Sequence, residues 1–221
     1  KELPEIDRPL QSGFEYGNWP IVKLANDDID LELAHWELIA PWVKSTLDVM
    51  KGREKFNTLN ATSERLLESK LFKQPALKRR CLVLTSGFYE WRHFTPQGGK
   101  DTAYPYYISV KEQEYFFMAG IYNPWVDQES GEVVDSFSIL TTAANPLMEK
   151  IHNKKKRMPV ILPEDQAEQW IRDDLSTEEI SALARFQFPS EQLEFHTIRK
   201  DFRQLEEPRE AFLYDELPPI E

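Results

Sequence analysis

The stretch YPYYISVKEQEYFFMAGIY, residues 104–122, restricts the fold of this chain more than any other. Two runs dense in aromatic and β-branched side chains flank the polar residues Lys111 to Glu114, the pattern of two strands joined by a turn. So short a connection predicts an antiparallel hairpin, because parallel neighbours need a crossover of about a dozen residues or more. Comparable runs at 19–24, 31–39, 81–92, 135–142, 158–162 and 193–199 read as further strands.

Helices sit between and beyond these runs. NATSERLLESKLF (60–72) carries Leu66, Leu67 and Leu71 at helical spacing. NPLMEKIHN (145–153) opens with a capping Asn145 and Pro146 at the first helical position. A third helix begins at Pro163, and Ser176 with Glu179 forms a capping box ahead of ISALARF. The expected fold class is α+β, with curved, mainly antiparallel sheets and peripheral helices.

No Gly/Ser-rich linker divides the 221 residues, so one domain is expected over 1–221. Its end, 206–221, holds six acidic side chains, one basic one and three prolines, and is expected to be poorly ordered. The net charge of −11 argues against broad, charge-driven adhesion to nucleic acid. Against that background Lys78-Arg79-Arg80 and Lys154 to Arg157 are local positive clusters. No apolar stretch approaches the roughly 20 residues of a membrane span. The single cysteine, Cys81, fits a reducing, cytoplasmic compartment. The four histidines and Cys81 lack ligand-like spacing, so no metal is expected. Phosphate-cradling glycine loops and the G-x-S-x-G elbow are absent, leaving no signal for a cofactor or a serine hydrolase.

Two side chains are candidates for chemistry. If RCLVLTSGFYEW (80–91) is one strand, both of its faces are mainly apolar, and Glu90 between Tyr89 and Trp91 is short of water. Desolvation raises such a carboxyl toward neutrality, where it exchanges protons; pairing with Arg92 or a lysine is the plainer alternative. His152 falls in the last turn of the helix opened by Asn145, where the helix dipole favours a protonated imidazole. A cap or surface group there is the plainer alternative.

LNATSE (59–64), RCLVLTSGFYEW (80–91), PYYI (105–108), FFMAGIY (116–122), FSILTTAANPLMEKIHN (137–153) and RMPVIL (157–162) together resemble the SOS response-associated peptidase, or SRAP, family. The likeness runs in order over roughly 19–165, with WELIAPW (36–42) similar to the family's Trp-containing segment. It implies a compact α+β fold with a barrel-like core, which binds single-stranded DNA at an abasic site. It also implies covalent attachment through a cysteine exposed by removal of the initiator methionine. The α-amine, with a pKa of about 7.7 to 8.0, forms an imine with the ring-opened sugar aldehyde, and the thiolate closes a thiazolidine.

The resemblance assigns acid/base work to Glu90 and proton shuttling at the opened sugar to His152. Asn60 is implied to hold the terminal amine and the lesion. Arg157 is implied to contact phosphate, Thr141 the DNA backbone, and Trp42 an exposed base. Lys154 to Lys156 look like a short insertion, either a phosphate-binding rim or a solvated loop. Thr62 stands where the family pattern has arginine, which removes one expected phosphate contact. The implied state is a monomer acting on single-stranded DNA. A non-covalent DNA-binding module of the same fold, without the nucleophile, is the alternative.

Overall fold

The computed structural model describes residues 8–25 and 28–220; residues 1–7 and Glu221, part of the expected domain and tail, lie outside them. Strands β1 (Asn18–Ala25), β2 (Asp28–Trp36) and β3 (Asn60–Thr62) come first, with helix α1 (Thr46–Gly52) before β3. Helix α2 (Lys73–Lys78) leads into β4 (Arg80–Thr85), β5 (Phe88–Phe94), β6 (Thr102–Val110), β7 (Phe116–Val126) and β8 (Val133–Ala143). Helix α3 (Pro146–Ile151), β9 (Arg157–Pro159), β10 (Ile161–Leu162), α4 (Glu164–Ile171), α5 (Thr177–Ala184) and β11 (Leu193–Thr197) complete the order.

Five strands close a barrel in the sequence β1-β2-β8-β7-β4 and back to β1, with β2 parallel to β8 and the other pairs antiparallel. β3 and β9 flank the far end of β8, and β10 adds to β7. A second sheet, β11-β6-β5, is antiparallel. The α+β expectation with a barrel-like core therefore stands.

Lys23 of β1 shows which strand face lines the barrel. Its ammonium reaches Asp135 of β8 at 2.6 Å and lies 4.9 Å from the Tyr122 ring centre on β7, neither strand being a neighbour of β1. The same face carries Ile21, Ala34, Cys81, Val83, Met118 and Phe137, which form one cluster with Phe88, Tyr106 and Ile108 of the second sheet and Met148 and Ile151 of α3. The outer face, with Leu82, Ala119, Ile121 and Leu140, packs on Trp170, Ile180 and Leu183 of α4 and α5. Trp170 locks this layer by donating its indole N–H to the carbonyls of Cys81 and Gly120 at 3.1 and 3.0 Å.

Local signals set the helix starts. Asn145 accepts from the Met148 amide at 2.8 Å with Pro146 beginning α3, and Ser176 and Glu179 complete their capping box. Long-range pairing overrode others. The expected hairpin does not form: β6 is held by β5 and β11, while β7 pairs with β4, β8 and β10. Glu112, at φ 59°, turns the chain from one sheet into the other. The expected 60–72 helix is also replaced, because the edge of β8 takes Asn60–Thr62 as a strand and a 3-10 turn follows over Ser63–Arg65. The run at 158–162 divides into β9 and β10, which join different strands.

The expected single strand over 80–91 breaks at Ser86-Gly87, so β4 belongs to the barrel and β5 to the second sheet. Thus Ser86 lies in a bend. The acidic tail, expected to be poorly ordered, packs instead: the Tyr104 hydroxyl donates to Glu216 at 3.0 Å, Arg92 donates to the Pro218 carbonyl at 2.6 Å, and Leu217 and Ile220 meet the core. Nor is Lys78-Arg79-Arg80 a free basic patch. Buried Arg80 donates to the carbonyls of Ala76, Leu77, Trp170 and Arg172, satisfying two helix ends, and Arg79 donates to Asn123.

Gly87 is needed at the break, since a Cβ there would lie 2.3 Å from the Tyr107 hydroxyl, which donates to the Ser86 carbonyl at 3.0 Å. Gly87→Ala should destabilise the chain by about 1–3 kcal/mol in urea unfolding. The same Cβ would lie 2.3 Å from Tyr107 Cζ, so adding Tyr107→Leu, which removes those ring atoms, should cost less than the sum of the two single changes; a fully additive loss would exclude this clash.

Candidate functional site

β8 is longer than the barrel needs, and its last residues carry the site. Thr141 pairs with Thr62 of β3 on one edge and Pro159 of β9 on the other. Ala143 opposite Arg157 sets the height of that arginine. Its guanidinium donates to the Thr141 carbonyl at 2.5 Å, to the Thr141 hydroxyl at 3.1 Å, and to Glu64 at 2.8 Å. Arg157 thus presents a cation at the barrel's extended edge, balanced by one carboxylate.

His152 follows the last residue of α3 as its C-cap, with its amide donating to the Met148 carbonyl at 2.7 Å. Imidazole Nδ1 lies 2.9 Å from the Arg157 carbonyl. A carbonyl only accepts, so Nδ1 carries hydrogen and the neutral ring keeps its lone pair on Nε2. Glu90 Oε1 is 3.5 Å from Nδ1, and both side chains are about four-fifths buried.

What brings Glu90 to the histidine is the free edge of β5. Asn153 offers that edge a side-chain amide in place of a strand: it accepts from the His93 amide at 2.9 Å and donates to the His93 carbonyl at 2.7 Å. This clasp holds the end of α3 three residues from Glu90. Neither its role nor that of Glu64 was read from the sequence; the only available signal was their adjacency to His152 and Asn60.

Burial pushes the Glu90 carboxyl up to about 7, against weaker opposition from the Trp91 amide and the Lys155 charge. Arg92 does not neutralise it, because Arg92 bonds the Pro218 carbonyl and faces the Tyr106 hydroxyl. His152 is pushed down, first by burial and then by the charges of Lys155, His93 and Arg157, with the Arg157 carbonyl opposing. The ring is therefore not held protonated by the helix end as expected: α3 has only six residues, and desolvation exceeds what its dipole supplies. Near neutrality the pair is a carboxyl that readily gains or loses its proton beside an imidazole that is largely neutral.

Asn60 is exposed on β3, its side chain without a hydrogen-bond partner among the described residues. It stands opposite Ile139 of β8, two residues before Thr62, and makes no hydrogen bond to Glu90 or His152. Trp42, 60% exposed, and Thr62 share a groove of about 870 Å³ with Phe56, Arg65, Lys70 and Phe72. So Glu90, His152, Arg157 and Thr141 are linked by direct contacts, Asn60 through strand register, and Trp42 through the groove wall. Among the described residues no cluster of His, Cys, Asp and Glu could hold a metal, and no helix is long and apolar enough to cross a membrane. Cys81 is fully buried, which raises its thiol well above the ordinary range.

The profile of the SOS response associated peptidase (SRAP) family matches residues 15–205. The chain belongs to that family. It is 35% identical over 153 residues to the abasic site processing protein YoqW of Bacillus subtilis, covering 68% of this chain and 62% of that protein. The abasic site processing protein HMCES of Gallus gallus is 32% identical over 181 residues, 74% of this chain and 51% of that one. The chain thus spans about half to three-fifths of these relatives. A crystal structure of a protein from Bacteroides thetaiotaomicron superposes with TM-score 0.82 at 35% identity, over 92% of this chain and 84% of that one.

The raised Glu90 has a cost to folding that depends on pH. The unfolded chain ionises Glu90 near its ordinary 4.5, the folded chain only near 7, so stability falls as pH climbs through that interval. Glu90→Gln should therefore stabilise the SRAP chain at pH 8 by about 1–3 kcal/mol and leave it unchanged near pH 4 in thermal melts. Equal effects at both pH values would mean that the carboxyl is not desolvated.

Proposed function

We propose that this chain recognises abasic sites in single-stranded DNA and becomes covalently attached to them. The observation that carries the reading is Glu90, which exchanges its proton near neutrality, beside a neutral His152 and next to the paired strands β8 and β9 that present Thr141 and Arg157. The names of YoqW and HMCES, abasic site processing proteins, support its abasic-site part.

In this reading the nucleophile is a cysteine at the mature N-terminus, freed by removal of the initiator methionine. Cys81 does not serve, being buried with its proton held. The α-amine adds to the aldehyde carbon of the opened sugar, and water leaves as the imine forms. Glu90 supplies the proton that the departing oxygen needs, while His152 Nε2 takes and returns protons at the sugar. The thiol then adds across the C=N bond, sulfur to carbon and hydrogen to nitrogen. The exposed Asn60 amide holds the terminal amine and the lesion, Arg157 and Thr141 hold the backbone, and Trp42 stacks on a base. The protein acts as a monomer in the cytoplasm and needs no metal or cofactor.

A chain beginning with an authentic cysteine should give a heat-stable adduct with abasic single-stranded DNA on a denaturing gel, and none with intact DNA. Glu90→Gln or His152→Ala should slow the adduct by on the order of 10²-fold, the usual contribution of a positioned acid or base. Binding without any adduct would favour a non-covalent module of the same fold, and full rates in both variants would remove their roles.

A further inference from the structure

The three inserted lysines are not equivalent. Lys154 is ion-paired with Asp101, which also faces His93 Nδ1 at 3.2 Å, and Lys156 lies 3.8 Å from Glu149. Lys155 is exposed and has no ion-pair or hydrogen-bond partner among the described residues.

The loop that carries Lys155 is fixed on every side. The Asn153 clasp holds its start against β5. The Lys156 amide donates to the His152 carbonyl at 2.8 Å, and Lys156 takes a left-handed turn at φ 50°. The Ala144 amide donates to the Lys156 carbonyl at 3.0 Å, and the His152 ring bonds the Arg157 carbonyl at 2.9 Å. The two ends of this closed loop are therefore the candidate proton carrier and the candidate phosphate contact, with Lys155 between them.

We infer that Lys155 binds the backbone phosphate adjoining the reacting sugar, a role that rests on the DNA reading above and extends it to a residue outside the family pattern. Three observations support it. Lys155 is the one lysine of the insertion without an ion-pair partner among the described residues. Its charge acts on both Glu90 and His152, holding their proton affinities down, which places it within electrostatic reach of the reacting groups. And in a chain of net charge −11, with Thr62 where an arginine is expected, a polyanion needs a local cation that is not already paired.

The test is equilibrium binding of a single-stranded oligonucleotide carrying a tetrahydrofuran abasic analogue, which has no aldehyde and cannot be trapped. Anisotropy titrations between 50 and 200 mM NaCl would compare the unaltered chain with Lys154→Ala, Lys155→Ala, Lys156→Ala and Lys155→Arg. One lost phosphate contact on a single strand lowers the slope of log K against log salt by about 0.7, or roughly threefold over that range. Lys155→Ala should show that loss, Lys155→Arg should restore it, and the two paired lysines should leave the slope unchanged. Equal small effects at all three lysines would overturn the inference while leaving the DNA reading intact. No binding by the unaltered chain at any salt would remove both.

Discussion

Everything at the site depends on the way β8 is hydrogen-bonded along both edges at once. Its first half closes the barrel between β2 and β7, and its second half exchanges those neighbours for β3 and β9. A strand that stopped at the barrel would leave Asn60, Thr62 and Arg157 without a common frame. Because the exchange occurs within one continuous strand, the rigidity of the barrel passes directly to Thr141, and from there to the guanidinium that Thr141 holds. The change of partner is sealed by backbone bonds at the crossover, Ile139 N–H to the Leu59 carbonyl at 3.1 Å and Val160 N–H to the Leu140 carbonyl at 2.9 Å.

The barrel interior is divided by the same strand. Asp135, at the opposite end of β8, shares the Lys23 ammonium with Glu32; burial first, and then the neighbouring Asp135, raise Glu32, while the contacts with Glu32 and Lys23 keep Asp135 low. Two carboxylates around one ammonium cannot both be fully compensated in a half-buried setting, so one keeps its proton more readily. That end of the barrel is closed by charge, the middle by Phe137, Ile21 and Val83, and the other end leads toward the site. Polarity inside the barrel is thus ordered along its axis.

Local chemistry was legible in the sequence, and partner choice was not. Asn145-Pro146 and the Ser176/Glu179 box act within one helical turn, and both start helices as read. Burial of Glu90 was legible too, from the aromatic and apolar residues around it. What failed were pairings decided at long range. An apolar run such as 104–122 states that two strands exist but not that each finds better partners elsewhere, and Leu66, Leu67 and Leu71 gave helical spacing to a segment that β8 claims as an edge strand. The break at Gly87 turns on the Tyr107 ring, which is twenty residues away and was invisible in the local pattern. For the site, the resemblance named Glu90, His152 and Arg157, whereas the side chains that hold them, Asn153 and Glu64, had no pattern of their own.

The Glu64 contact bears on how such a site can work under the proposed function. Arg157 is already engaged by a carboxylate at 2.8 Å, and burial of Glu64 is outweighed by its backbone and arginine contacts, so the carboxyl stays ionised. A phosphate arriving at Arg157 must displace or share that partner, which lowers the net gain from the contact compared with an unpaired arginine. Modest equilibrium affinity is what a protein of net charge −11 with one arginine already engaged should have. Under the proposed function a covalent end point would remove the need for more: once the imine was captured as a ring, retention would be set by a chemical bond, and the non-covalent contacts would have only to hold the sugar beside Glu90 and His152 long enough for proton transfer. In that reading weak, displaceable cation contacts would also let an intact strand leave, and discrimination would fall on the aldehyde, which only the abasic sugar supplies.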